Sequence, residues 1–186
     1  MLPGMLPNSL QTSLHALAAG TPLLGGLAVF TASFLLFVLA AVLGGIVLMK
    51  ARSVTWALAA RVVVACAATV LLTLVLGHAV PDPRPYLVGH YTPLTQVAHD
   101  NGFPSDHTLV AALFTGFILW IDRRFVTLFA LGTLAIGLGR LAVGAHHTLD
   151  VLGSLLIAGA SLSLAAALRL PEAWRRPVLP GRERYS

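Results

Sequence analysis

The sequence predicts an all-α fold: a polytopic membrane helix bundle with five transmembrane helices preceded by an N-terminal interfacial helix. Two observations carry this. Of 186 residues, 57% are hydrophobic and only 10% charged, whereas an ordinary soluble domain is roughly a quarter charged. Several apolar runs also reach or approach the ~20 residues that cross about 30 Å of hydrocarbon at about 1.5 Å per residue. The expected partition is one membrane-embedded domain over residues 1–170 and a flexible basic tail over 171–186.

Taken in order, residues 8–19 read as a weakly amphipathic helix lying in the interface, with a sixth span there as the alternative. Spans are expected at 22–48, 54–76, 108–121, 125–141 and 149–168. Each is uncharged inside except for Arg61 and Asp150, which lie near ends. The third and fourth are short, and reach spanning length only by running into polar residues such as Ser105 and Arg140. Between the second and third, residues 77–104 carry Pro81, Pro83, Pro85, Pro93 and Pro104, which excludes a continuous helix. Cys66, the single cysteine, lies in an apolar run and permits no intramolecular disulfide. No basic region precedes the first span, so no cleaved signal peptide is expected.

With five spans, successive connections alternate sides. Lys50, Arg52, Arg123, Arg124, Arg169, Arg175, Arg176, Arg182 and Arg184 then share one face, and Arg61 can snorkel to it. The positive-inside rule makes that face, and the C-terminus, cytoplasmic. Arg84, Arg140 and all seven histidines fall on or beside the opposite, extracytoplasmic face. The net charge of +5 is thereby explained by orientation and anionic membrane lipid, so no nucleic-acid partner is expected. Trp56, Trp120 and Trp174 suit an aromatic belt at the cytoplasmic boundary.

Three clusters on the outer face carry chemistry: PRP at 83–85, FPSDH at 103–107 and GRLAVGAHHTLD at 139–150. Ionisable residues at span ends are costly and point to function. Arg84 and Arg140 offer forked donors for phosphate oxygens, and Ser105 precedes a helix whose free amides also favour an anion. An imidazole beside Asp150 can attack phosphorus, and His107 can protonate the departing oxygen. The arginines offset transition-state charge, so no metal or other cofactor is required. Both His146 and His147 lie within reach of Asp150 along a helix, and local spacing does not choose between them.

PRP, PSDH and the series Arg140, five residues, His146, three residues, Asp150 resemble the three signature motifs of the type-2 phosphatidic acid phosphatase superfamily, which comprises lipid phosphate phosphatases. The resemblance covers residues 77–153. It implies His146 as nucleophile, Asp150 as its orienting partner, His107 as general acid, and Arg84, Ser105 and Arg140 as phosphate ligands. Asp100, Asp106, His78 and His147 are candidates for supporting groups around them. DNGFPSDHT at 100–108 looks most like the small bacterial undecaprenyl-diphosphatases. The implied activity is removal of the terminal phosphate of undecaprenyl diphosphate, a polyprenyl lipid diphosphate, recycling the cell-wall lipid carrier. Another lipid phosphate (phosphatidic acid, phosphatidylglycerol phosphate or a lipid A phosphate) is the alternative substrate. Two positions depart from the pattern: Gly77 stands where the family usually has lysine, and Gly139 where it commonly has serine.

Simpler roles account for other residues. Asp82 beside Arg84 reads as a local ion pair, His15 and His99 as solvated, and Asp106 as a helix-start residue. Gly132, Gly137, Gly139, Gly153 and Gly159 read as sites of close helix approach. Two other classes compete: a haem or metal protein, whose ligands would face each other within spans rather than sit beside arginines, and a carrier that binds lipid phosphate without hydrolysing it.

Overall fold

A computed structural model describes residues 8–179, all helix and connection apart from one isolated bridge between Thr55 and Pro177. The helices are α1 Ser9–Gly20, α2 Pro22–Ser33, α3 Leu35–Met49, α4 Trp56–Ala79, α5 Pro85–Gly89, α6 Asp106–Ile121, α7 Val126–Ala142 and α8 Thr148–Ala167. Short 3-10 turns lie at Ala51–Ser53, Arg123–Phe125 and Glu172–Arg175. Three helical stretches are long and apolar enough to cross a membrane: Trp56–Ala79, Arg123–Ala142 and Thr148–Ala167. The bent pair α2–α3 qualifies as a fourth if it is one span, while α6 has 16 residues. Helix α1, at 12 residues, is about 18 Å long and too short to cross.

The span expected over 22–48 is not continuous: α2 and α3 meet at 46° around Phe34. Thr31 Oγ1 donates back to the carbonyls of Leu27 and Ala28 at 3.0 and 3.1 Å, a bond type that bends helices. At the break, the Ala32 carbonyl takes a long 3.4 Å bond from Arg140 Nη1. The bend therefore supplies an acceptor to a buried arginine.

Helix α6 sits centrally. Leu109, Leu113 and Phe117 pack with Ala65 of α4 and Ile157, Ala158 and Ala165 of α8. Its other side, Ala111 and Ile118, packs with Leu39 and Ile46 of α3 and Phe129 and Ile136 of α7. The outward faces are greasy, with Leu23, Leu48, Met49 and Leu156 all more than 70% exposed, as expected of surfaces that meet lipid rather than water.

Small residues allow several of these approaches. A Cβ on Gly139 would lie 2.9 Å from the Ala32 amide nitrogen, and one on Gly132 would meet Leu39. Gly159 differs from expectation: nothing lies within 4 Å of its would-be Cβ. At the basic end, Lys50 pairs with Asp122 at 2.7 Å. The first part of the tail is tied down there, since Trp56 N donates to Arg176 O and Val178 N to Val54 O. The remainder of the tail, with Arg182 and Arg184, and residues 1–7 lie outside the described residues.

Candidate active site

The proline-rich connection forms a strap across the ends of α4, α6 and α8, and Asn101 holds it together. The two hydrogens of its Nδ2 are shared among the carbonyls of Gly77, Val80 and Phe103 at 2.9, 3.2 and 3.0 Å, and its Oδ1 accepts from Asp82 N at 2.7 Å. Gly102 N donates to Asp82 O at 2.8 Å. These bonds set PDPRP against the residues preceding α6. Arg84 has φ −59° and ψ 146°, a polyproline-II conformation of about three residues per turn. The local Asp82–Arg84 pair does not form, because each side chain has another partner. Arg84 instead directs Nε and Nη2 onto Asp100 Oδ1 at 3.0 and 2.6 Å. That guanidinium holds the Asp100 carboxyl below its ordinary range. Asp82 turns inward, and its Oδ2 lies 2.9 Å from His147 Nδ1. Burial would raise the Asp82 carboxyl, but hydrogen bonding to His147 and the neighbouring Asp150 leaves it below its ordinary range.

His146 lies in the α7–α8 turn, only 2% exposed. Its Nδ1 is 2.9 Å from Gly102 O and 3.3 Å from Asp150 Oδ2. A carbonyl only accepts, so Nδ1 carries the proton and Nε2 bears the lone pair. Two guanidiniums flank that lone pair, with Arg84 Nη1 at 3.1 Å and Arg140 Nη2 at 3.3 Å. Burial first, then the charges of Arg140 and Arg84, hold His146 well below the ordinary histidine pKa, so it is neutral at pH 7. Arg84 Nη1 also donates to Ala145 O at 3.1 Å, whereas Arg140 Nε is buried with no partner among the described residues. The arrangement is a neutral imidazole nitrogen between two cationic forks, with donor capacity to spare.

Asp150 is fully buried in the first turn of α8, and its Oδ2 accepts from His147 N at 2.8 Å. Its Oδ2 lies 3.3 Å from His146 Nδ1, to which the Gly102 carbonyl makes the shorter contact. Ser105 is fully buried; its amide lies 3.4 Å from Asp150 O, and its hydroxyl bonds Thr108 Oγ1 at 3.1 Å. It does not cap α6, which leaves the helix's first amides open to an anion. His107, half-buried in the first turn of α6, makes no side-chain hydrogen bond among the described residues and lies within electrostatic range of Arg84, Arg140 and His146.

Other expected residues lie elsewhere. His78 is exposed, with Nδ1 bonded to Leu74 O at 3.2 Å, and Asp106 is exposed beside α6. His15 is not solvated as expected: it lies 2.9 Å from Ala142 O with its ring against Tyr91. His99 is exposed but within 3.1 Å of the Tyr86 hydroxyl. Asp82, His147 and Asp150 each bring one ligand atom within a 4.8 Å group that has the composition of a cation site. Asp82 Oδ2 and Asp150 Oδ2 are already bonded to His147, whereas Asp150 Oδ1 is buried with no partner among the described residues, and the Arg84 guanidinium stands beside the group.

The chain matches the profile of the PAP2 superfamily over residues 58–174, a span that includes the whole cluster. The chain belongs to the PAP2 superfamily. Among its relatives, an undecaprenyl-diphosphatase of Bacillus subtilis is 36% identical over 77 residues, covering 41% of this chain and 40% of that protein. This PAP2 chain is also 28% identical over 156 residues to a putative undecaprenyl-diphosphatase of Escherichia coli, covering 82% and 78% of the two. A lipid A 1-phosphatase of Rhizobium etli is 36% identical over 91 residues, 48% of this chain and 39% of that one. The fold is that of a solved PAP2-type phosphatidylglycerolphosphate phosphatase of Bacillus subtilis, with TM-score 0.58, 20% identity, and 86% and 82% coverage.

Gly153 supports the PAP2 cluster from behind: a Cβ there would run into the Phe103 ring, next to the carbonyl that fixes His146. Gly153→Ala is expected to lower kcat by about 10- to 100-fold through misplacement of the imidazole, measured as phosphate release by protein that still elutes as the wild type does.

Proposed function

We propose that this protein is an integral membrane lipid phosphatase that removes the terminal phosphate of a polyprenyl diphosphate, undecaprenyl diphosphate, through a phosphohistidine on His146. The observation that carries the reading is the unprotonated Nε2 of His146 between Arg84 and Arg140. Nε2 attacks the terminal phosphorus as the bond to the bridging oxygen breaks. His107, in its protonated form, gives its proton to that oxygen, releasing the lipid monophosphate. His107 then takes a proton from water, whose oxygen displaces His146 and forms inorganic phosphate. Arg84, Arg140 and the Ser105 end of α6 hold the equatorial oxygens. Support for the polyprenyl substrate comes from the Bacillus subtilis and Escherichia coli relatives.

The Rhizobium etli relative supports a second reading, in which the headgroup is a lipid A phosphate. Phosphate release in detergent from undecaprenyl diphosphate, phosphatidic acid, phosphatidylglycerol phosphate and a lipid A phosphate tests the choice. A preference for the diphosphate of about tenfold or more in kcat/KM is expected, corresponding to about 1.4 kcal/mol; a preference for another lipid overturns it.

The proposed chain crosses the membrane five times, with α2–α3 and α6 as spans and the basic end cytoplasmic. A cysteine introduced at Ser186 is then expected to resist an impermeant thiol reagent added to intact cells. The same reading sets a pH dependence. His146 is held below its ordinary pKa, so its nucleophilic form survives as pH falls through 6.5 and is lost only at lower pH. The acid limb of kcat/KM is expected below about 6.5, and in the residual activity of Arg140→Gln it should move up.

A further inference from the structure

At the opposite end of the bundle a second polar site is built from different residues. A cleft of about 660 Å³ opens between the start of α4, the end of α6 and the chain leaving α8. Its polar wall consists of Arg61, Arg169 and Arg175 with Ser53 and Thr55, and no carboxylate among the described residues lines it. Arg61 lies one turn inside α4, and its Nε is buried with no hydrogen-bond partner among the described residues. The basic residue at the neighbouring corner, Lys50, is already paired with Asp122, whereas none of the three arginines makes an ion pair among the described residues. Helix α8 has 20 residues, so the cleft lies about 30 Å from His147 at about 1.5 Å per residue. It is too distant to share a phosphate with His146.

The shape suggests what occupies it. Three guanidiniums and the Ser53 hydroxyl form a cradle for phosphate oxygens, while Thr55 caps α4 by accepting from Leu58 N at 3.2 Å. The remaining wall, Trp120, Leu168 and Leu170, is apolar and lies at the ends of membrane-crossing helices, where glycerol and the first methylenes of a lipid would sit. We propose that this cleft binds the phosphate of an anionic phospholipid headgroup, separately from the PAP2 site. Diffuse attraction of basic residues to an anionic surface would treat all exposed arginines alike. A cleft would not, and Arg123 and Arg124, exposed outside it, provide the comparison.

The test uses the full chain in detergent, with native mass spectrometry counting retained dioleoylphosphatidylglycerol against dioleoylphosphatidylcholine. Arg61→Gln/Arg169→Gln/Arg175→Gln is expected to reduce the phosphatidylglycerol preference about tenfold or more, while Arg123→Gln/Arg124→Gln leaves it in place. Arg61→Lys, which keeps the charge and loses the fork, should give an intermediate loss. Each variant should retain wild-type phosphate release in phosphatidylcholine micelles, which shows that it is folded. Calorimetry with inorganic phosphate forms a separate arm: binding lost in the triple variant, with no lipid preference in the wild type, assigns the cleft to a soluble phosphate. Equal losses from both sets of substitutions, or no loss from the triple, overturn the proposal.

Discussion

His146→Gln is expected to reduce phosphate release by about 10⁴-fold or more, while the protein continues to bind lipid phosphate. Glutamine can keep a donor near Gly102 O, but it offers no imidazole lone pair to the space between Arg84 and Arg140. Loss of the nucleophile therefore separates from loss of the cradle. In a rapid quench with radiolabelled substrate, wild-type protein should yield an acid-labile, base-stable phosphoenzyme and the variant none. Unchanged turnover would remove His146 as the nucleophile, and lipid-phosphate binding without turnover in the wild-type protein would identify a carrier. His147→Gln provides the internal comparison. The His147 ring is engaged with Asp82 and its amide with Asp150, so its loss should cost about tenfold or less through positioning. Spacing to Asp150 left the two histidines equivalent and the resembled motif selected His146; in the structure the two rings face different partners.

That contrast shows what could be read from sequence. The helices are legible because apolar length and breaker residues are local: the expected spans 125–141 and 149–168 lie within a residue of α7 and α8. The bend at Phe34 is not legible, since the Thr31 bonds and the Arg140 contact that accompany it involve residues across the fold. The motifs bring Arg84, Arg140, His146 and Asp150 together as charged groups needing partners would suggest. Gly102 escaped because its contribution is a backbone carbonyl, which no residue letter announces. Asn101 gave a signal, a lone amide in a proline-rich strap, but its four bonds depend on the strap's path. Asp82 and Arg84 are near neighbours in sequence, which suggests a pair, but tertiary partners decide: Asp82 bonds His147 and Arg84 bonds Asp100.

The two arginines should not fail in the same way, and the difference is the second large effect. Arg140 reaches the Ala32 carbonyl with one nitrogen and His146 with another, and keeps Nε unpartnered in a buried setting. Under the proposed function this is the fork that has an unused donor for an equatorial oxygen. Lysine cannot span both contacts, and removing a preorganised donor typically costs 10² to 10³, so Arg140→Lys is expected to lose about 10²- to 10³-fold in kcat. Arg84 is held differently, with Nε and Nη2 on Asp100, whose side chain is 66% exposed. Under the proposed function Asp100 acts through Arg84, and its carboxylate competes with the substrate for that fork. Arg84→Lys should lose about 10²-fold or more in kcat/KM. Asp100→Asn should change kcat/KM by about tenfold or less in the wild-type background and by almost nothing when Arg84 is already lysine. Non-additivity of that pair in a double-mutant cycle, together with additivity of Asp100→Asn and Arg140→Lys, is the expected pattern. An Asp100 effect that persists without Arg84 would mean that Asp100 meets the substrate directly.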